Sequence, residues 1–119
     1  MIIAITAQGK DENAQVDPRF GRAKYFVLYD SEADSYSVLD NSQAINAPQG
    51  AGTQAAAHVI NSGANALLTG HCGPNAFRTL QAGKIQVVIG VDGQVKDAVA
   101  RFQKGELKPA GGADVEGHW

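Results

Sequence analysis

Two short stretches of the chain concentrate the side chains with chemistry to offer. The first is Gly70-His71-Cys72-Gly73-Pro74-Asn75-Ala76-Phe77, where an imidazole and a thiol stand side by side ahead of a helix that Gly73 caps and Pro74 opens. Exposed N–H groups at a helix start favour an anion and lower a thiolate's pKa, and an imidazole–thiol pair suits a soft metal or a sulfide cluster. The same residues also read as a tight turn with Cys72 a small buried side chain and His71 facing water. The second stretch is Asp17-Pro18-Arg19-Phe20-Gly21-Arg22-Ala23. Its two guanidinium forks suit phosphate, carboxylate or a compact polyanion, and Gly21 lets the backbone approach what they hold. The alternative is a solvated loop in which Asp17 pairs with one arginine, a contact of little energetic weight. Phe20, in so polar a setting, predicts that the loop packs back onto the body.

A third stretch, Gln49-Gly50-Ala51-Gly52-Thr53, leads into an Ala-rich helix. It lacks the Gly-Lys-Ser/Thr ending of a phosphate loop and the spacing of a dinucleotide fingerprint. Gly50 and Gly52 nevertheless leave backbone N–H groups for an anion, or else form a flexible lead into the helix. His58 is expected on the exposed face of that helix, in a structural role, and His118 lies near the chain's end. The carboxylates Asp11, Glu12, Asp30, Glu32 and Asp34 are scattered over loops and form no spaced acid/base pair.

The elements that must position these residues follow from periodicity. Residues 2–6 form a nearly unbroken apolar, β-branched run, the pattern of a strand covered on both faces. Residues 24–29 and 36–39 read as a hairpin closed over 30–34. Helical spacing runs over 53–62, over 74–82 with Ala76, Phe77 and Leu80 as its apolar face, and over 95–102 with Val95, Ala98, Val99 and Phe102. Between these helices, 66–69 and 85–89 are short strands. The order β-β-β-α-β-α-β-α demands parallel pairing late in the chain and an antiparallel meander early. One sheet meets both demands: five strands in order 3-2-1-4-5, only the second reversed, with three helices in a three-layer, ribonuclease-H-like α/β domain. Segments 8–22, 40–52 and 70–73 then leave the strands at one edge, where the strand order reverses and open α/β sheets bind ligands. Nuclease chemistry is excluded, because neither the first nor the fourth strand carries a carboxylate for metal ions.

Composition narrows the classes further. A chain of 119 residues sets an expectation of one domain, here 1–103, followed by a flexible Gly-rich tail, 104–119. A net charge of −2 offers no basic face for nucleic acid. No apolar run approaches the roughly 18 residues of a membrane span. The opening Met1-Ile2-Ile3-Ala4-Ile5 has no positive leader region, so the expected location is the cytoplasm. The single cysteine, Cys72, can neither form an internal disulfide nor alone supply the thiolates of an iron–sulfur cluster.

The segment from Asp17 to Phe26, the Gly50-Ala51-Gly52 helix lead, the run from Leu68 to Phe77 and the closing Ile89-Gly90-Val91-Asp92-Gly93 together resemble the dinitrogenase iron–molybdenum cofactor biosynthesis family. The likeness covers about Met1 to Phe102. It implies a carrier that binds iron–sulfur or iron–molybdenum–sulfur clusters noncovalently and is not a catalyst. In that reading Arg19, Arg22, Gly50, Gly52, His71, Cys72, Gly73 and Asn75 form the cofactor-binding set, with His71 and Cys72 toward metal. Cluster donor and acceptor proteins are the expected partners, and the chain is a monomer or weak homodimer. A regulatory or protein-interaction domain without a cluster, and a thiol enzyme using Cys72, are the competing expectations.

Overall fold

The computed structural model describes residues 1–46 and 50–112. Its elements are β1 (Ile2–Ala7), a single 3₁₀ turn (Phe20–Arg22), β2 (Tyr25–Asp30), β3 (Ser35–Asp40), α1 (Ser42–Ile45), α2 (Ala51–Asn61), β4 (Ala66–Leu68), α3 (Pro74–Ala82), β5 (Gln86–Val88) and α4 (Val95–Gln103). The sheet order is β3-β2-β1-β4-β5. β2 is antiparallel to both β1 and β3, while β1–β4 and β4–β5 are parallel, as the element order requires. Two short elements were not visible in the periodicity: the 3₁₀ turn and the one-turn α1, both inside segments expected to be loops.

The unbroken apolar run of β1 has its expected cause. Its side chains alternate between two cores, Ala4 toward one and Ile3, Ile5 and Ala7 toward the other. The first core lies under α2 and α3 and contains Phe26, Ala55, Ala56, Val59, Phe77 and Leu80. The second lies under α4 and contains Val27, Val88, Val95, Ala98 and Val99. The sheet is therefore the middle of three layers, and none of the helices among the described residues is long and apolar enough to cross a membrane.

The hairpin turn is organised by one carboxylate. Asp30 Oδ1 accepts the N–H groups of Glu32 at 3.0 Å and Ala33 at 3.3 Å. At the far edge of the sheet, the segment after α4 is held against the body. Leu107 packs on the α4 side, Ala110 packs on the α2–α3 side, and the Ala110 N–H donates to the Val87 carbonyl at 2.7 Å. This part of the expected tail thus covers the edge of β5, where unpaired backbone groups would otherwise stand open. Residues 113–119, His118 among them, lie outside the described residues, as do 47–49 in the loop before α2.

Candidate functional site

The carboxyl ends of β1 and β4 are adjacent, and both segments that leave them carry the residues singled out above. The two segments are stitched together by backbone. The His71 N–H donates to the Pro18 carbonyl at 2.8 Å and the Phe20 N–H to the His71 carbonyl at 3.2 Å, so Arg19 and His71 pair as a parallel bridge. Gly70 makes this approach possible. A Cβ there would stand 2.7 Å from both Cα and O of Pro18, a separation that backbone atoms do not tolerate. Below the bridge, Thr6 holds Asp17 twice. The Thr6 carbonyl accepts the Asp17 N–H at 2.8 Å, and the Thr6 hydroxyl bonds the Asp17 carbonyl at 2.8 Å. The same hydroxyl is 2.9 Å from Thr69 Oγ1, and both threonines are fully buried.

The turn that follows is anchored by its one aromatic residue. Phe20 is 1% exposed and its ring centroid lies 5.6 Å from that of Phe26. Burial of such a side chain stabilises by about 2 kcal/mol, enough to seat a three-residue turn. The loop does pack back onto the body. Asp17 does not spend its carboxylate on a guanidinium in the way the solvated-loop alternative requires; Oδ1 accepts the Arg19 backbone N–H at 2.9 Å. Arg19 is exposed, whereas Arg22 is half-buried and its Nη1 donates to the Ile45 carbonyl at 3.2 Å, at the end of α1. The two arginines are therefore not equivalent, although the motif presents them as a pair.

The helix starts complete the rim. The 3₁₀ turn packs on α2, and α2 packs along α3. Gly52, in the first turn of α2, lies so near α3 that a Cβ would come within 3.2 Å of Ala76 Cβ. Gly50 caps α2 from the left-handed region, φ +73°, and Gly73 caps α3 with Pro74 next and Asn75 exposed in its first turn. First-turn N–H groups have no partner within their own helix, and two helix starts side by side favour negative charge. His71 is half-buried at this rim. Cys72 is not on it: the thiol is fully buried in the α2–α3 core, where Sγ donates to the Gly73 carbonyl at 3.7 Å. The expected His-Cys pair is thus split between rim and core by one step of extended chain, which turns successive side chains in opposite directions.

His58 corrects the sequence reading. It is half-buried rather than exposed, and its Nδ1 lies 2.7 Å from Oδ1 of Asn41. Asn41 is fully buried, donates Nδ2–H to the Ala23 carbonyl at 2.8 Å, and through its own carbonyl accepts the N–H groups of Ala44 and Ile45 in α1. With Nδ2 committed to Ala23, Oδ1 is the atom facing His58, so Nδ1 carries the imidazole proton. Beside it, the Ser42 hydroxyl and then the Ser42 N–H hold the Asp40 carboxyl below the usual aspartate range. Neither Asn41 nor the threonine pair was singled out by motif reasoning; a lone Asn, or a Thr ending an apolar strand, carries no sequence signal of its own.

Among the described residues, no three His, Cys, Asp or Glu side chains converge to hold a metal ion. Among the described residues the rim offers one imidazole, one exposed guanidinium and two helix starts, a set matched to a preformed anion more than to a bare cation. No curated protein matches the chain. The apo form of the orange protein from Desulfovibrio gigas superposes with a TM-score of 0.94 at 42% identity, over 96% of each chain. A Thermotoga protein described as NifB-like and assigned to the DUF35 family superposes with a TM-score of 0.83 at 33% identity, over 98% of each chain. The family model described as dinitrogenase iron-molybdenum cofactor matches residues 1–105, and with that match added to the rim and the shared fold, the chain belongs to this family.

Proposed function

We propose that the chain is a non-catalytic carrier for an anionic metal–sulfur cluster, of the iron–molybdenum–sulfur or iron–sulfur class, moving between donor and acceptor proteins in the cytoplasm. The observation that carries this reading is the backbone bridge that sets Arg19 beside His71 where α2 and α3 begin. His71 supplies a side chain suited to a metal, Arg19 offsets the guest's charge, and the N–H groups of Gly52 and Asn75 face its sulfides. One side-chain ligand leaves the guest free to depart, as transfer between proteins requires. Cys72 joins the shell only if 70–73 opens, because its thiol lies behind the rim. Arg22 serves the frame. The family match and the orange protein, whose description as an apo form presupposes a bound one, support the same reading. The thiol-enzyme alternative is weakened by the burial of Cys72, since a nucleophile must reach its substrate.

The test is anaerobic titration of the purified chain with iron–sulfide clusters assembled from ferrous iron and sulfide, and separately with tetrathiomolybdate. Uptake at about one guest per chain, lost in His71→Ala, is the expected result. No uptake of either, or equal uptake by the variant, rejects the site.

A further inference from the structure

We infer that Thr6 and Thr69 are positioning residues whose shared hydroxyl contact sets the spacing between Arg19 and His71; this rests on the carrier reading only for its consequence in binding. Thr6 is the penultimate residue of β1 and Thr69 directly follows β4, the adjacent strands from which the two halves of the rim depart. Both are fully buried, and their Oγ1 atoms are 2.9 Å apart. Thr6 has one hydroxyl proton; given to the Asp17 carbonyl at 2.8 Å, it leaves the Thr69 hydroxyl to donate into Thr6 Oγ1. The relay thus runs from β4 through β1 into the arginine segment. From Asp17 the chain passes directly to Pro18, whose carbonyl takes the His71 N–H, and from Thr69 it passes through Gly70 to His71 itself. The hydroxyl contact and the Pro18–His71 bond therefore close a small loop of bonded and hydrogen-bonded atoms around the Gly70–Pro18 contact. Valine at either position keeps the volume but leaves a buried carbonyl or hydroxyl short of a partner. Serine keeps the hydroxyl.

Amide hydrogen exchange on the ligand-free chain reads this directly. In Thr6→Val and in Thr69→Val the His71 and Phe20 amides are expected to exchange about tenfold faster than in the wild type, with the interior amides of β1 and β4 unchanged, and Thr6→Ser restores protection. The double variant is no worse than Thr6→Val, which already removes both the Asp17 bond and the contact with Thr69, whereas Thr69→Val removes only the latter. Unchanged His71 exchange in both valine variants overturns the inference, as does uniform acceleration across the sheet, which marks general destabilisation. The same variants titrated with tetrathiomolybdate are expected to bind about tenfold more weakly, with Thr6→Ser near the wild type. If the exchange pattern appears but the wild type binds neither tetrathiomolybdate nor iron–sulfide clusters, the positioning role stands and the carrier reading fails.

Discussion

Two halves of one rim are built by different means. On the Arg19 side, backbone pairs with backbone: 18–20 and 70–72 form a bridge over a buried threonine pair, and the arginine side chain is left toward solvent. On the Arg22 side, side chains do the joining. Asn41 links Ala23, α1 and His58, and the Arg22 guanidinium closes onto the end of α1. The first half fixes a path of chain and leaves its charge available. The second uses a charge to fix a path. Three residues apart, the two arginines thus differ in setting: the Arg22 guanidinium bonds the Ile45 carbonyl, whereas Arg19 is exposed.

Breaking the first half should have the largest effect. Gly70→Ala drives a methyl group into the Pro18 backbone, so either the bridge opens or β4 shifts. The expected loss of stability is about 1–3 kcal/mol in urea unfolding, accompanied by loss of guest uptake. Gly52→Ala meets only a side-chain methyl at 3.2 Å and should cost less. A folded Gly70→Ala chain of wild-type stability would mean that the close approach is not needed.

The second half separates the arginines. Arg22→Ala removes a hydrogen bond from a half-buried cation to a carbonyl and is expected to cost about 1 kcal/mol in the same assay. Arg19→Ala should stay within about 0.5 kcal/mol of the wild type while weakening uptake of an anionic guest. The opposite order, with Arg19 stabilising and Arg22 binding, would reverse the assignment.

Most of the frame was legible in the residues. The β-branched run of β1, the hairpin over 30–34 and three helical spacings imply the mixed sheet and its order, and the sheet order alone brings 8–22 and 70–73 to one edge. Phe20 in a polar loop was a sufficient sign of its anchoring. What escaped has a common cause. Whether Cys72 faces rim or core depends on a single step of extended chain, and whether Arg22 or Arg19 meets a partner depends on α1, a one-turn element too short to leave a periodic signature. His58 lies off the apolar stripe of α2, as expected, yet Asn41 reaches it from the end of β3, a contact between residues 17 apart that no local pattern encodes.

Two smaller effects sharpen the contrast. Cys72 in the folded chain should react with a small alkylating reagent at least ~10-fold more slowly than in urea, since reaction waits for the 70–73 segment to open. A fast reaction would place the thiol at the rim. On the Arg22 side, the Asp40 carboxyl is held low by Ser42, so its folded-state pKa lies below the unfolded one. That contribution is present above the unfolded value and fades as pH falls through the folded value. Asp40→Asn should therefore lose less stability than the wild type on acidification across the carboxylate range, a small difference visible in urea midpoints. Parallel curves for the two proteins would show that the Ser42 contact carries no linkage.

In the proposed carrier, Arg19 and His71, and not Arg22, face the anionic metal–sulfur guest. Metal and sulfide analysis after anaerobic loading and desalting, run on the wild type, His71→Ala, Arg19→Ala and Arg22→Ala side by side, measures this most directly. Metal and sulfide are expected to be retained in the wild type and in folded Arg22→Ala and depleted in the Arg19 and His71 variants. Equal retention in all four, or depletion in Arg22→Ala alone, would contradict this assignment.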